Sequence, residues 1–302
     1  MRTAADSSPK EPCRNVSCVE VLRSETLSQL RWLVHGFSTR QGGVSTCYGG
    51  KSLNLGLTSH DTHENVGRNR ELFEKAIGAT NCDGSLLPLV QIRQIHSGTV
   101  HRIDSVPPHP PAGDGMITSA PGLLLAIKTA DCVPVLAADV PRKVVGVFHA
   151  GWRGTIARIV EKGVGEMRGH FGSDPRDLRV AIGPCIRKCC YRVGEEVRAE
   201  FESQFAYAQE LFEEVFDSNA VHVKYPLLFQ NQRAPGHGNM GPEIHLDLVA
   251  ANRRQLEDAG LSPSQIDVVG GCTACDTRSY FSHRAEFGKT GRMMAVIGMR
   301  SE

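Results

Sequence analysis

The stretch Leu123-Leu-Leu-Ala-Ile-Lys-Thr-Ala-Asp-Cys-Val-Pro-Val-Leu-Ala-Ala-Asp-Val-Pro-Arg-Lys-Val-Val-Gly-Val-Phe-His149 decides the fold class. Three short apolar runs within it, Leu123 to Lys128, Val133 to Ala137 and Lys143 to Phe148, have the length and β-branched content of buried strands. A parallel crossover takes a dozen or more residues, and the connections between these runs are far shorter. Antiparallel or mixed pairing among these strands is therefore expected, which argues against a doubly wound parallel sheet.

The same kind of signal extends outward. Trp32 to Ser38 alternates as a first strand, and Arg40-Gln-Gly-Gly-Val-Ser45 follows it as a glycine-rich turn. Asp61 to Ile77 carries Val66, Leu72, Phe73 and Ile77 at helical spacing, with Asp61 or Thr62 as the N-cap. Leu87 to Ile92 reads as a strand delivering His96 just beyond its end, and Ser105 to Gly115 as a proline-rich loop. Thr155 to Phe171 is predicted to be one amphipathic helix and Val193 to Phe205 another. Leu178 to Ile182 is a strand ending in Gly-Pro-Cys185. Pro226 to Pro242 is a long loop, His245 to Ala259 a helix closed by Gly260, and Ile266–Val269 and Met293–Met299 the final strands. With no internal repeat and no linker, residues 32–302 read as one α/β-type domain. Residues 1–31, rich at their start in Ser, Pro and charge, read as a poorly ordered lead-in.

Composition narrows the function. Of 302 residues 40% are hydrophobic and 22% charged, which is ordinary for a globular chain. With 34 basic against 33 acidic side chains the formal net charge is +1, so no global field draws the protein to nucleic acid or to anionic lipid. An anionic substrate needs a local cluster instead. No run approaches the roughly 18 apolar residues that cross a bilayer, and the N-terminus lacks the apolar core of a signal peptide, so the expected location is the cytoplasm. In that setting the ten cysteines point to reduced thiols, a metal site or a nucleophile.

His96, Cys132 and His149 each fall at a strand end, where the backbone is fixed and a side chain can face a cleft. Zinc accepts such a mixed nitrogen and sulfur set, and three protein ligands leave a fourth position open for chemistry. The three are far apart in the chain, so spacing alone favours a buried cysteine and two hydrogen-bonded histidines over a metal site. Arg153-Gly-Thr155 opens a helix just after His149, and such a start, with free amides and an arginine, suits an anion. Arg40-Gln-Gly-Gly offers a second anion candidate and Arg70 a third. Asp131 can orient Cys132 or bond a sugar hydroxyl, and Asp114 is open to the same two readings. Cys185, Cys189, Cys190 and the Cys272/Cys275 pair suggest a second zinc, but small buried thiols are the expectation.

The strings HGFSTRQGGVS (35–45), SLNLG (52–56), QIHSGTV (94–100), DGMIT (114–118), KTADCVPVL (128–136), GVFHAGWRGT (146–155), AIGPCI (181–186), YRVGEEV (191–197), LDLVAANRRQL (246–256), CTACDTRSYFSHR (272–284) and GRMMAVIGM (291–299) resemble, in order, the YfiH-like family once labelled multicopper polyphenol oxidase or laccase-domain. The resemblance implies an α+β fold: a single domain of two packed mixed β-sheets flanked by helices, in α-β-β-α layers. It implies one zinc per chain held by His96, Cys132 and His149, which serve also as the catalytic residues. The activity implied is phosphorolysis of adenosine, inosine, guanosine or methylthioadenosine with phosphate as co-substrate, and deamination of adenosine by a zinc-activated water. Arg40, Arg70, Asp131 and Arg153 are then the expected substrate-binding residues. Two departures stand out: Gln94-Ile-His-Ser97 replaces the usual Gln-Val-His-Gly, and Phe229 to Met240 matches no family string. Two rivals remain. One is a hydrolase with Cys132 as nucleophile and His149 as base, such as an amidase editing cell-wall precursors. The other is a non-catalytic, zinc-stabilised nucleoside-binding protein. Copper oxidase chemistry is disfavoured, because the 12 histidines are scattered.

Overall fold

A computed structural model describes residues 19–81, 83–216, 224 and 242–301. The long loop expected over Pro226 to Pro242, with its unmatched segment Phe229 to Met240, lies almost wholly outside them.

The elements run β1 (Val21–Leu22), α1 (Glu25–Ser28), β2 (Leu33–Ser38), α2 (His63–Ile77), β3 (Leu89–Gln91), β4 (Val100–Arg102), β5 (Gly115–Thr118), β6 (Leu124–Thr129), β7 (Val133–Asp139), β8 (Val144–Ala150), α3 (Trp152–Ile156) and α4 (Ile159–Phe171). They continue with β9 (Leu178–Ile182), β10 (Arg192–Val193), α5 (Glu195–Gln204), β11 (Phe212–Val215), β12 (Glu243–Leu246), α6 (Leu248–Asp258), β13 (Ile266–Val268) and β14 (Met293–Met299).

Two mixed sheets form the centre. The five-stranded sheet has the order β1-β2-β14-β6-β3, antiparallel except between β6 and β3. The six-stranded sheet has the order β13-β9-β7-β8-β5-β4, with parallel pairs only at its two edges. Alternation along the strands explains the layering. In β6, Leu125 and Ile127 face the second sheet, where Leu136, Val145 and Val147 meet them. Leu124 and Ala126 face the other way, against Phe73 and Ile77 of α2. In β7, Val133 and Val135 join Val160, Val164 and Met167 of α4 on the outer face. Both faces of each sheet are covered, which is why these strands read as unbroken apolar runs. The expected α-β-β-α layers are present, and a third sheet of order β10-β12-β11 adds to them.

Three local expectations are corrected. Val21–Leu22 pairs with β2 and Leu27 of α1 is fully buried, so ordered structure begins well before residue 32; residues 1–18 lie outside the described set. The helix expected over Thr155 to Phe171 starts at Trp152 and breaks at Arg158, which takes a left-handed backbone (φ 58°). There the Thr155 carbonyl accepts from the Arg158 amide three residues on (3.0 Å) and from the buried Gln255 side chain of α6 (2.7 Å). His245 lies in β12, not in a helix: Asp247 caps the Ala250 amide, so α6 starts only at Leu248.

Candidate metal and substrate site

The loop Ala130–Cys132 carries the chain from one sheet to the other, between β6 and β7. It places Cys132 beside His149, near the end of β8, and His96, in the loop between β3 and β4. The ligand atoms of these three residues all lie within 4.8 Å of one another. Cys132 Sγ is 3.9 Å from His96 Nε2, and the two imidazoles meet edge to face with centroids 5.0 Å apart.

Asp114 holds this arrangement. It immediately precedes β5, is fully buried, and sits next to His149 across the β5–β8 pairing, where its carbonyl accepts the His149 amide. Its carboxylate accepts from His149 Nδ1 (2.8 Å) and from the successive amides of Ile95 (3.2 Å), His96 (3.0 Å) and Ser97 (2.6 Å). The Ser97 hydroxyl donates as well, at 2.8 Å. His96 itself adopts a left-handed backbone (φ 58°), and the three amides thereby form a nest around the carboxylate. With Nδ1 engaged, His149 presents Nε2 to the ligand cluster, as metal-binding histidines do when a carboxylate holds the other ring nitrogen. Burial alone raises the Asp114 carboxyl, but the His149 and Ser97 hydrogen bonds outweigh it and bring it down to about 2.

The charges of the site act on the sulfur. Burial pushes the Cys132 thiol up, yet the His149 charge and the bonds to both histidines dominate and lower it to about 6. Burial lowers His149, and the facing Cys132 and Asp114 override it, raising it to about 9. The site thus polarises the sulfur towards thiolate, the ligand form that zinc requires. The donor set fits a single zinc with one open position. His149 is buried and His96 exposed, so the open side faces solvent through a pocket.

That pocket has a volume of about 510 Å³, a size suited to a small metabolite. Beside the triad, Tyr191, His283 and Asp131 line it, together with a cationic set made of Arg93, Lys128, Arg284 and Arg292. Burial, then the charges of Arg70 and Arg292, depress the Lys128 ammonium, which reports positive groups crowded together. Among the described residues, neither Lys128 nor Arg292 forms an ion pair with a carboxylate. Lone cations of this kind are what an anion would neutralise.

The four expected substrate residues have different fates. Asp131 lines the pocket, and its backbone lies at φ 94°. Its carboxylate accepts from the Thr273 hydroxyl and the Arg284 amide, both at 2.6 Å, so it pins the wall that carries His283 and Arg284. Arg40 does not line the pocket: it pairs with Glu286 at 2.8 Å, donates to the Thr277 and Tyr48 carbonyls, and stacks over Phe281. Arg153 is exposed and stacks over Trp152, and it too is absent from the lining. Arg70 stands behind the wall, donating twice to the Leu55 carbonyl while adding charge beside Lys128. Lys128 and Arg292, missed as candidates, lie within the strings KTADCVPVL and GRMMAVIGM. Nothing local marks them, because their convergence is produced by the β6–β14 pairing of Met294 with Lys128. The cysteines expected to be small buried thiols divide: Cys185 is fully buried, whereas Cys189 and Cys275 are exposed and Cys190 and Cys272 half-buried.

The chain is similar to known proteins over most of its length. Residues 34–300 match the family model described as multi-copper polyphenol oxidoreductase laccase. The chain is 36% identical over 270 residues to a purine nucleoside phosphorylase of Deinococcus radiodurans, covering 88% of each chain. It is 32% identical over 286 residues to the purine nucleoside phosphorylase YlmD of Bacillus subtilis, covering 92% of each. Among solved structures, a hypothetical protein YfiH of Bacillus licheniformis superposes with a TM-score of 0.75 at 31% identity, covering 95% of this chain and 98% of that one.

Proposed function

The chain belongs to the laccase-like YfiH family, and from that membership and the pocket we propose that it is a zinc-dependent purine nucleoside phosphorylase. The observation that carries the reading is one pocket with a His/Cys/His triad on its wall and, on the same surface, Lys128 and Arg292, which form no ion pair among the described residues. Phosphorolysis needs both a site for phosphate and a site for the nucleoside. Lys128 Nζ and the Arg292 guanidinium donate to the phosphate dianion and hold it against the anomeric carbon. Proximity of this kind is worth several kcal/mol of barrier. A phosphate oxygen then forms the bond to C1′ as the C1′–N9 bond breaks, and the electron pair leaves with the purine. When bound, zinc supplies Lewis acidity on the pocket wall. Asp114 keeps the His149 ring oriented throughout, and Asp131 holds the Arg284 segment closed over the site.

Adenosine, inosine, guanosine and methylthioadenosine are the proposed substrates, and adenosine deamination is the proposed side activity. A multicopper oxidase reading finds no support, since the described residues gather one His-containing cluster with two imidazoles. The test is incubation of protein of known zinc content with each nucleoside, with and without phosphate. Free base that appears only with phosphate supports the proposal. Base release independent of phosphate, or full turnover by a Cys132→Ala protein with no metal at the triad, overturns it.

A second reading draws on the same charges. A thiolate on Cys132 facing a protonated His149, itself bonded to Asp114, is the arrangement of a cysteine hydrolase. Zinc at the triad separates the two readings, because it occupies the Cys132 sulfur. Alkylation of Cys132 with loss of amidase activity in a metal-free protein would favour the hydrolase.

A further inference from the structure

Four more sulfurs converge away from the triad. Cys189 and Cys190 come from the turn after β9, and Cys272 and Cys275 from the segment after β13. Their Sγ atoms all lie within 4.8 Å of one another, with Cys189 to Cys275 at 3.5 Å and Cys190 to Cys275 at 3.3 Å. Tetrahedral zinc, with Zn–S near 2.3 Å, sets sulfurs about 3.8 Å apart, so the observed spacing is that of a four-thiolate cage before small adjustment. All four are free thiols.

The surrounding backbone is built to hold that cage. The turn is tight, with the Cys190 and Tyr191 amides both donating to the Arg187 carbonyl at 2.9 Å. The Arg187 amide donates to Cys272 Sγ at 3.4 Å, which favours that sulfur as a thiolate. Cys185 and Cys272 form a parallel bridge that fixes the two segments side by side, and Thr273 donates its amide to the Cys185 carbonyl. Two ligands from a Cys-x-x-Cys pair and two from an adjacent pair give the closed, four-coordinate set of a structural zinc.

We propose that Cys189, Cys190, Cys272 and Cys275 bind a second, structural Zn2+ that clamps together two walls of the pocket. One wall is the turn that ends in Tyr191. The other is the segment from Thr273, bonded to Asp131, to His283 and Arg284. Without a cation, the four sulfurs add only weak contacts to the backbone bridge and to the Arg284 bond to the Arg192 carbonyl (2.7 Å) that already join these walls. With one, the walls are tied covalently strongly but remain chemically inert, since no coordination position is left open.

The experiment counts zinc and reads its ligands in full-length protein purified with zinc chloride under reducing conditions. Wild-type protein is expected to carry two zinc per chain, and the Cys272→Ser/Cys275→Ser double variant one. The Cys132→Ala protein, whose cage is untouched, is expected to keep one zinc with an all-sulfur shell near 2.3 Å by X-ray absorption. It should also show the intense tetrahedral thiolate bands on cobalt substitution. This second measurement holds even if the double serine variant does not fold. Cys132→Ala protein with no metal, or with a shell containing nitrogen, overturns the proposal. So does a native disulfide among the four cysteines, found by mass mapping. Failure of the triad reading gives a different pattern: one zinc in wild type, retained in Cys132→Ala and lost in the double serine variant.

Discussion

Replacing Asp114 by Asn tests the logic of the site with a change of one atom. The carboxylate receives five donors: the amides of Ile95, His96 and Ser97, the Ser97 hydroxyl and His149 Nδ1. An amide can turn its oxygen to one side only. With the oxygen on the His149 side, its NH2 faces the Ile95 and Ser97 amides; turned over, it faces His149 Nδ1 and the His96 amide. Either way two buried N–H donors lose an anionic acceptor and meet another donor. Hydrogen bonds to charged groups contribute about 1.5–3 kcal/mol each, so the metal-free Asp114→Asn protein should lose about 3–6 kcal/mol of stability. Loss of the partner that orients a metal histidine also weakens metal affinity about 10- to 100-fold. Urea unfolding of the apo protein measures the first effect, and chelator competition for zinc the second. A variant that unfolds within about 0.5 kcal/mol of wild type and binds zinc within about twofold would refute the role given to Asp114.

Other outcomes follow from individual contacts. Lys128→Met should raise KM for phosphate by about tenfold or more, the worth of one charge-assisted contact, and leave nucleoside KM little changed. Arg40→Met, which breaks the Glu286 pair, should lower stability and leave phosphate KM unaltered; steady-state kinetics at varied phosphate distinguish the two arginine and lysine roles. His35 is held down at about 4, first by burial and then by the Arg23 charge. The folded protein therefore binds fewer protons than the unfolded chain between pH 4 and 6.5, and stability from this residue is complete above 6.5 and lost as pH falls through 4. The full effect is about 3 kcal/mol, and a His35→Asn protein whose pH–stability curve keeps the wild-type slope in that window would contradict it. Gly163→Ala should cost about 1–3 kcal/mol in thermal unfolding despite the better helix propensity, because the new Cβ falls 2.4 Å from the fully buried Phe148 ring. A stabilised Gly163→Ala protein would show that the ring has room to move.

The sequence by itself determined the strands from Leu123 to Phe148, the antiparallel pairing of β7 with β8 and the α2 helix capped at Asp61 or Thr62; that β6 lies in the other sheet, unpaired with β7, and that Thr62 is the cap came from the structure. Each of the former follows from local information in the sequence: unbroken β-branched apolar runs, short connections and a side-chain cap. Its ordered strings also singled out His96, Cys132 and His149, which the structure brings within reach of one ion. Only the tertiary structure decided what surrounds them. Asp114, open to two readings as a sequence position, is the acceptor for the His96 turn because the β5–β8 pairing sets it beside His149. Arg40 and Arg153, attractive beside glycines and at a helix start, point elsewhere because Glu286 and Trp152 take their guanidinium groups. The Lys128 and Arg292 cluster and the four-cysteine cage each join segments remote in the chain. Periodicity reports which face of an element is buried, but contacts across sheets and loops depend on register and chain path, which no single segment encodes.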